Sequence, residues 1–252
     1  MAETGTRTPR ERYRAQVRAE IKQRAWEQIA TAGASALSLN AIAKQMGMSG
    51  PALYRYFAGR DELITELITD AYRSLADAFR AAAGADSGAD SGADSGSGSG
   101  SGSGAGSDSA PGLTALAHAM RAWALEDPQR YLLVYGTPVP GYHAPADVTA
   151  IASEIMDVLL DACAAQSAQP APSPAPVTAT APVTPFEAYL DGHRDWAAGH
   201  SAPPAALHRA LAFWTRLHGV LSLELAGHFA GMGFDPERLY AAEVEALTGS
   251  RT

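Results

Sequence analysis

The side chains best placed to do chemistry lie in one short run, Ser49-Gly50-Pro51-Ala52-Leu53-Tyr54-Arg55-Tyr56-Phe57. Leu53 and Phe57 are four apart, so on a helix they share the face that packs against a core. Gly50, Ala52, Tyr54, Arg55 and Tyr56 then point away from it. Two phenol hydroxyls and a guanidinium on so short a segment suit hydrogen bonds to phosphate oxygens and base edges. A helix that starts there also aims backbone N–H groups at an anion. An ordinary helical hairpin shares the small residues and the glycine turn. It has no reason to expose two tyrosines and an arginine together.

Other chemistries find less support. His208, His218 and His228 recur every ten residues, a rotation of about 280° per step on a helix, so they do not converge on one metal ion. His193 and His200 lack a third ligand of matching spacing. Cys163 is the only cysteine, which excludes an intrachain disulfide and a cysteine-cluster zinc site. No glycine-rich phosphate cradle, nucleophile elbow or paired zinc histidines are present, so neither an enzyme nor a metal or other cofactor is expected. The aromatic residues Trp123, Tyr131, Tyr135, Tyr142, Phe186, Trp196 and Trp214 could line an apolar pocket for a small molecule. For any one of them a place in the core of a helical bundle is the simpler expectation. His218 beside Gly219 reads as a packing or interface histidine before a ligand contact.

The elements that position the run are legible as helices. Ser38 can cap a helix that carries Ile42, Ala43 and Met46 inward. Ala43 is small enough to let the next helix cross closely, and Gly47 supplies the left-handed residue that turns the chain. Ser49 can cap the second helix and Pro51 fits its first turn, so 38–57 reads as a helix-turn-helix. Val17, Ile21, Ala25 and Ile29 stripe a helix over 12–31. Leu63, Leu67, Ala71, Leu75 and Phe79 stripe another over 61–83. Further helices fit 113–125, 129–135, 146–164, 186–198, 204–230 and 236–247. Strand alternation is scarce, and the fold is expected to be all-α.

Composition agrees. Of 252 residues 46% are hydrophobic, enough for a sizeable core. Residues 1–60 carry ten Lys/Arg against four acids, a net +6, although the whole chain is at −8. A basic start on an acidic body suggests a polyanionic partner for the start alone, with a solvated basic helix as the plainer alternative. No stretch approaches a membrane span, and the polar, arginine-bearing start carries no secretory signal, so a cytoplasmic protein is expected. Two low-complexity stretches, a Gly/Ser/Asp-rich insert at 84–112 and a Pro/Ala-rich loop at 165–185, should stay flexible. The resulting division is a basic helix-turn-helix domain over 1–60, a connecting helix over 61–83, the insert, and a C-terminal helical domain over 113–252.

The run from Asn40 to Phe57, followed by Arg60-Asp61-Glu62-Leu63, closely resembles the signature of TetR/AcrR transcriptional regulators. The resemblance implies that Gly50, Pro51, Ala52, Tyr54, Arg55 and Tyr56 form the surface that reads double-stranded operator DNA, with Ser49 beside them. It implies that Ser38, Tyr56 and Arg60 hold phosphates and that Asn40 reaches a base. Trp214, His218 and Gly219, together with the run Tyr135-Gly136-Thr137-Pro138-Val139-Pro140-Gly141-Tyr142, are similar to the TetR C-terminal domain named for its Trp-His-Gly motif. That resemblance implies a ligand-binding and dimerisation domain over 113–252; a homodimer paired through 204–230 and 236–247 is expected, with a small-molecule effector near Trp123, Tyr135, Trp196, Trp214 and His218. A ligand-responsive repressor on a palindromic site follows. The alternative is a helical adaptor or dimerisation protein that has ceased to read DNA.

Overall fold

The computed structural model describes residues 8–89, 111–143, 145–168 and 183–249. Among them every regular element is helical, as expected. The chain divides into two compact units. One is Met1–Ala71 with Gln129–Val148, and the other is Tyr72–Pro128 with Thr149–Thr252. The stretch 129–148, grouped by sequence with the C-terminal domain, therefore clusters with the N-terminal helices.

In the first unit, α1 (Pro9–Ala32) opens on a capping box between Thr8 and Glu11 and buries Val17, Ile21, Ala25 and Ile29. It stops at Gly33, whose amide donates to the Ile29 carbonyl at φ +78. A 3-10 turn, Ala34–Ala36, leads to α2 (Leu39–Gln45) and α3 (Gly50–Leu53). Then comes α4 (Arg60–Ala89), which belongs to this unit as far as Ala71 and buries Leu63, Leu67 and Ala71 in it; Leu75 and Phe79, also buried, fall in the second unit. α6 (Pro128–Tyr135) brings Tyr131 and Leu133 into the interior. Beyond it Val139 is buried and the Thr65 hydroxyl donates to the Tyr142 hydroxyl at 3.2 Å.

The second unit holds α5 (Pro111–Glu126), most of α7 (Ala146–Ala168), α8 (Pro185–Asp191), α9 (Pro204–Leu225) and α10 (Pro236–Thr248). α9 packs on α5, α8 and α10 and buries Leu207, Phe213, Leu217 and Leu221. The buried Tyr240 hydroxyl donates to the Ala117 carbonyl at 2.7 Å, tying α10 to α5. Gln166 of α7 donates to the Thr248 carbonyl at 2.8 Å.

Several element ends differ from the sequence reading, four of them outside the helix-turn-helix by four residues or more. α4 runs on to Ala89, through the first six residues of the expected insert. Extending a formed helix adds a hydrogen bond for each residue ordered, whereas starting a new one is costly, so two glycines do not stop it at once. For the same reason α7 reaches Ala168, past the expected loop start at 165. The remainder of both stretches, 90–110 and 169–182, lies outside the described residues. α9 ends at Leu225 and not at 230, because Gly227 takes φ +77 and the amides of Gly227 and His228 close back on Glu224 and Leu223. The helix expected over 186–198 ends at Asp191, followed by a 3-10 turn, Asp195–Ala197.

Candidate nucleic-acid interface

The Ser38 hydroxyl accepts from the Ala41 amide at 3.3 Å, and the Ser38 amide donates to the Gln28 side chain at 3.0 Å. The start of α2 is thus capped and tied to α1. Leu39, Ile42 and Ala43 are buried, while Asn40, Lys44 and Gln45 are exposed. At the far end Gly47 adopts φ +65, the Gly47 amide donates to Lys44 and the Met48 amide to Ala43. That six-to-one closure reverses the chain where Gly47 was expected to do so.

Ser49 stands at the N-cap of α3, but its side chain makes no capping hydrogen bond. Pro51 lies in the first turn, as anticipated. α3 itself is only Gly50–Leu53, shorter than the helix expected to reach Tyr56. Beyond Leu53 the bonds tighten to Arg55 on Ala52 and Tyr56 on Leu53, so Tyr54, Arg55 and Tyr56 sit on a turn. Leu53 and Phe57 are 0% exposed; Tyr54 is 48% exposed, Arg55 and Pro51 are exposed, and Tyr56 and Ala52 are half-buried. A Cβ built on Gly50 would lie 3.6 Å from the Asn40 Oδ1, so the starts of α2 and α3 meet at these two residues. Ser38, at the head of α2, is half-buried.

Arg60 is placed differently from the free cation that a phosphate contact suggests. Its Nη2 donates to the carbonyls of Ala34 at 2.9 Å and Ser35 at 3.4 Å, holding the 3-10 turn that precedes Ser38. The basic character of α1 is also partly consumed inside the unit. Arg18 pairs with Glu66 at 2.8 Å, Lys22 reaches Glu66 at 3.7 Å and Asp70 at 2.5 Å, and Arg24 pairs with Glu27 at 2.9 Å. Asp61, Glu62, Glu66 and Asp70 lie just past the stretch whose charge was counted, and they lower the net charge of 1–71 to +2. Lys44, Arg55 and Arg14, whose Nη2 donates to the Arg55 carbonyl at 3.4 Å, are exposed cations beside the turn. Sequence reading weighed Lys44 only as a charge.

Two family models match this chain. Residues 21–67 match the bacterial regulatory proteins of the tetR family, and residues 113–247 match the tetracyclin repressor-like C-terminal domain. The chain belongs to the TetR family. HTH-type transcriptional regulators of Mycobacterium bovis and Mycobacterium tuberculosis are each 34% identical to it over 236 residues, covering 93% of this chain and 92% of theirs. The crystal structure of SCO4313, assigned as a regulatory protein, has a TM-score of 0.74 at 61% identity, covering 96% of this chain and 100% of that one. A protein of unknown function from a Rhodococcus species shares the fold at TM-score 0.59 and 19% identity, covering 98% of this chain and 97% of its own. This TetR-family protein is a DNA-binding transcriptional regulator and not an enzyme. No described helix is long and apolar enough to cross a membrane.

The TetR-family C-terminal region places the effector candidates as follows. Trp123 is buried, its indole N–H donating to the Ser74 hydroxyl at 2.8 Å. Trp214 and His218, one turn apart on α9, meet edge to face at 4.4 Å. Burial pushes the His218 imidazole down to about 3, so it is neutral at physiological pH. Trp196 is half-buried in its 3-10 turn. Tyr135 ends α6, 5.4 Å from the Tyr131 ring, and falls in the first unit, whereas the other four belong to the second. A groove of about 210 Å³ in the second unit is lined instead by Glu187, His208, Arg209, Ala212, Arg216 and Leu247, among others. Cys163 is buried and its thiol is raised to about 12 by that burial, which makes it unreactive. Among the described residues no group of three or more His, Cys, Asp or Glu could hold a metal ion.

Proposed function

We propose that this regulator is a ligand-responsive repressor that binds a palindromic operator as a homodimer, with the segment 50–56 of each protomer in a major groove. The observation that carries the reading is the division of one short segment. Leu53 and Phe57 are sealed at 0% exposure, while Tyr54 and Arg55 between them stand out from the surface. The turn after the four-residue α3 leaves them outside the face that Leu53 and Phe57 bury. Asn40 beside Gly50 extends the same surface toward the base edges. Ser38 and Tyr56 flank it as backbone contacts, and Ser49, Pro51 and Ala52 let the helix start approach closely.

The self-pairing face is assigned to α9 and α10. On α9 Thr215, Gly219 and Leu223 form an exposed stripe at four-residue spacing, with nothing within 4 Å of a Cβ built on Gly219. A partner helix can approach closely there. An apolar effector held among the C-terminal helices would act through α4, and only by binding the released state more tightly than the DNA-bound one.

Selection of duplexes from a random-sequence pool by the full chain tests this. A two-fold symmetric consensus is expected, from two equivalent reading heads. An asymmetric consensus contradicts the dimeric reading, and no consensus contradicts the assignment of the turn. On the selected duplex Arg55→Ala should lose about ten-fold or more in affinity, the value of one good base or phosphate contact. Unchanged binding would take Arg55 out of the interface.

A further inference from the structure

We infer that Arg18 is a positioning residue for DNA recognition: its guanidinium holds the Tyr54–Phe57 turn in the orientation from which Tyr54, Arg55 and Tyr56 meet the duplex. The inference rests on the reading of that turn as the recognition surface. α3 is one turn long, and its carbonyls at Gly50, Ala52 and Leu53 accept from the amides of Tyr54, Arg55 and Tyr56. Two carbonyls of the turn that follows accept from α1 instead. The Arg14 Nη2 donates to the Arg55 carbonyl at 3.4 Å, and the Arg18 Nη1 donates to the Tyr56 carbonyl.

Arg18 does more than cap. Its Cζ lies 4.2 Å from the centre of the Phe57 ring, and its Nη2 pairs with Glu66 of α4 at 2.8 Å and approaches Glu62 at 3.8 Å. One planar group therefore touches α1, the turn and α4 at once. Its side chain is 23% exposed, and its charge already faces Glu66, so it is not offered to a phosphate. The geometry needs a plane of donors that can stack on a ring while its two ends bond in different directions. Arginine supplies that plane, and lysine, a point charge with rotating donors, does not.

Arg18→Lys in the full chain separates the roles, because it keeps the charge and removes the plane. Binding is measured by fluorescence anisotropy over a range of salt, on the duplex selected by the wild type and on a scrambled duplex. Urea unfolding is followed alongside. Arg18→Lys should lose about ten-fold on the selected duplex, the worth of a charge-assisted hydrogen bond. It should bind the scrambled duplex as the wild type does, with the same salt slope. Glu66→Gln, which leaves Arg18 and its carbonyl bond in place, should shift the same ratio in the same direction by less, and it serves as the test if the lysine variant does not fold. A parallel loss on both duplexes with a shallower salt slope would make Arg18 a phosphate contact and overturn the inference. An unchanged ratio of the two affinities would overturn it too, leaving the turn's own role intact. A wild type that selects no sequence removes the recognition reading and this inference together.

Discussion

Arg18 on α1 and Arg121 on α5 are built alike. Each guanidinium lies over an aromatic ring, 4.2 Å from that of Phe57 in the first unit and 5.2 Å from that of Tyr240 in the second. Each pairs with a glutamate of a neighbouring helix, Glu66 at 2.8 Å and Glu224 at 2.6 Å. They differ in where the remaining donor goes. Arg121 places both terminal nitrogens on Glu224, at 2.6 and 2.9 Å, and so joins two long helices, α5 and α9, side chain to side chain. Arg18 gives one nitrogen to a backbone carbonyl at the exit of a four-residue helix. The same side chain thus acts on packing in one unit and on the direction of exposed side chains in the other.

The largest effect should come from breaking the second clamp. Arg121→Ala leaves Glu224, 17% exposed, without its partner, and should cost about 3 kcal/mol of unfolding free energy in urea titration. The ratio of specific to scrambled binding should not change; a changed ratio would erase the contrast between the two arginines. Replacing both members by leucine should recover most of the loss, because the desolvation cost of the pair goes with it.

A smaller effect concerns His218, whose folded value of about 3 lies below its ordinary 6.5. As pH falls the unfolded chain takes up this proton first. The contribution of neutral His218 is therefore complete above 6.5 and is lost progressively toward 3. At pH 5.5 the loss is about 1.4 kcal/mol. His218→Leu should flatten the stability profile between pH 8 and 5.5 by that amount, and an unaltered profile would place the imidazole in water. The smallest effect is set in the first unit. Tyr142→Phe removes the hydroxyl that accepts from Thr65 and should cost about 1 kcal/mol or less in the same titration. A cost as large as that of Arg121→Ala would mean that the hydroxyl anchors the whole segment 136–142.

Two glycines show what local pattern can and cannot reveal. Gly47 and Gly227 end their helices by the same closure, at φ +65 and +77. Gly47 was legible because Ser49 and Pro51, both helix starters, follow it at once. Gly227 sits inside Leu225-Ala226-Gly227-His228-Phe229-Ala230, where the apolar spacing continues unbroken and no starter appears before Asp235. The helical stripes of α1 and α4 were readable for the same reason as Gly47, since a period of 3.6 is written in neighbouring residues. The exposure of Tyr54 and Arg55 was readable because Leu53 and Phe57 define the inward face, whereas Gly50, Ala52 and Tyr56, expected outward with them, are half-buried. The reach of α4 to Ala89 was not, because it depends on a helix already formed beneath it.

From sequence alone came the helical class, the turn at Gly47 and the outward placement of Tyr54 and Arg55, all of which depend on contacts no more than five residues apart. The partners of the charged groups came only from the folded chain. Arg60 is 26 positions from the carbonyl it holds, Arg18 is 38 from its own, and Arg121 is 103 from Glu224. A charge counted along the chain is blind to such separations, and so a net +6 over 1–60 concealed how much of it is answered by the acids of α4. Periodicity records which side of a helix is buried, but the identity of what lies against that side is decided when distant segments meet.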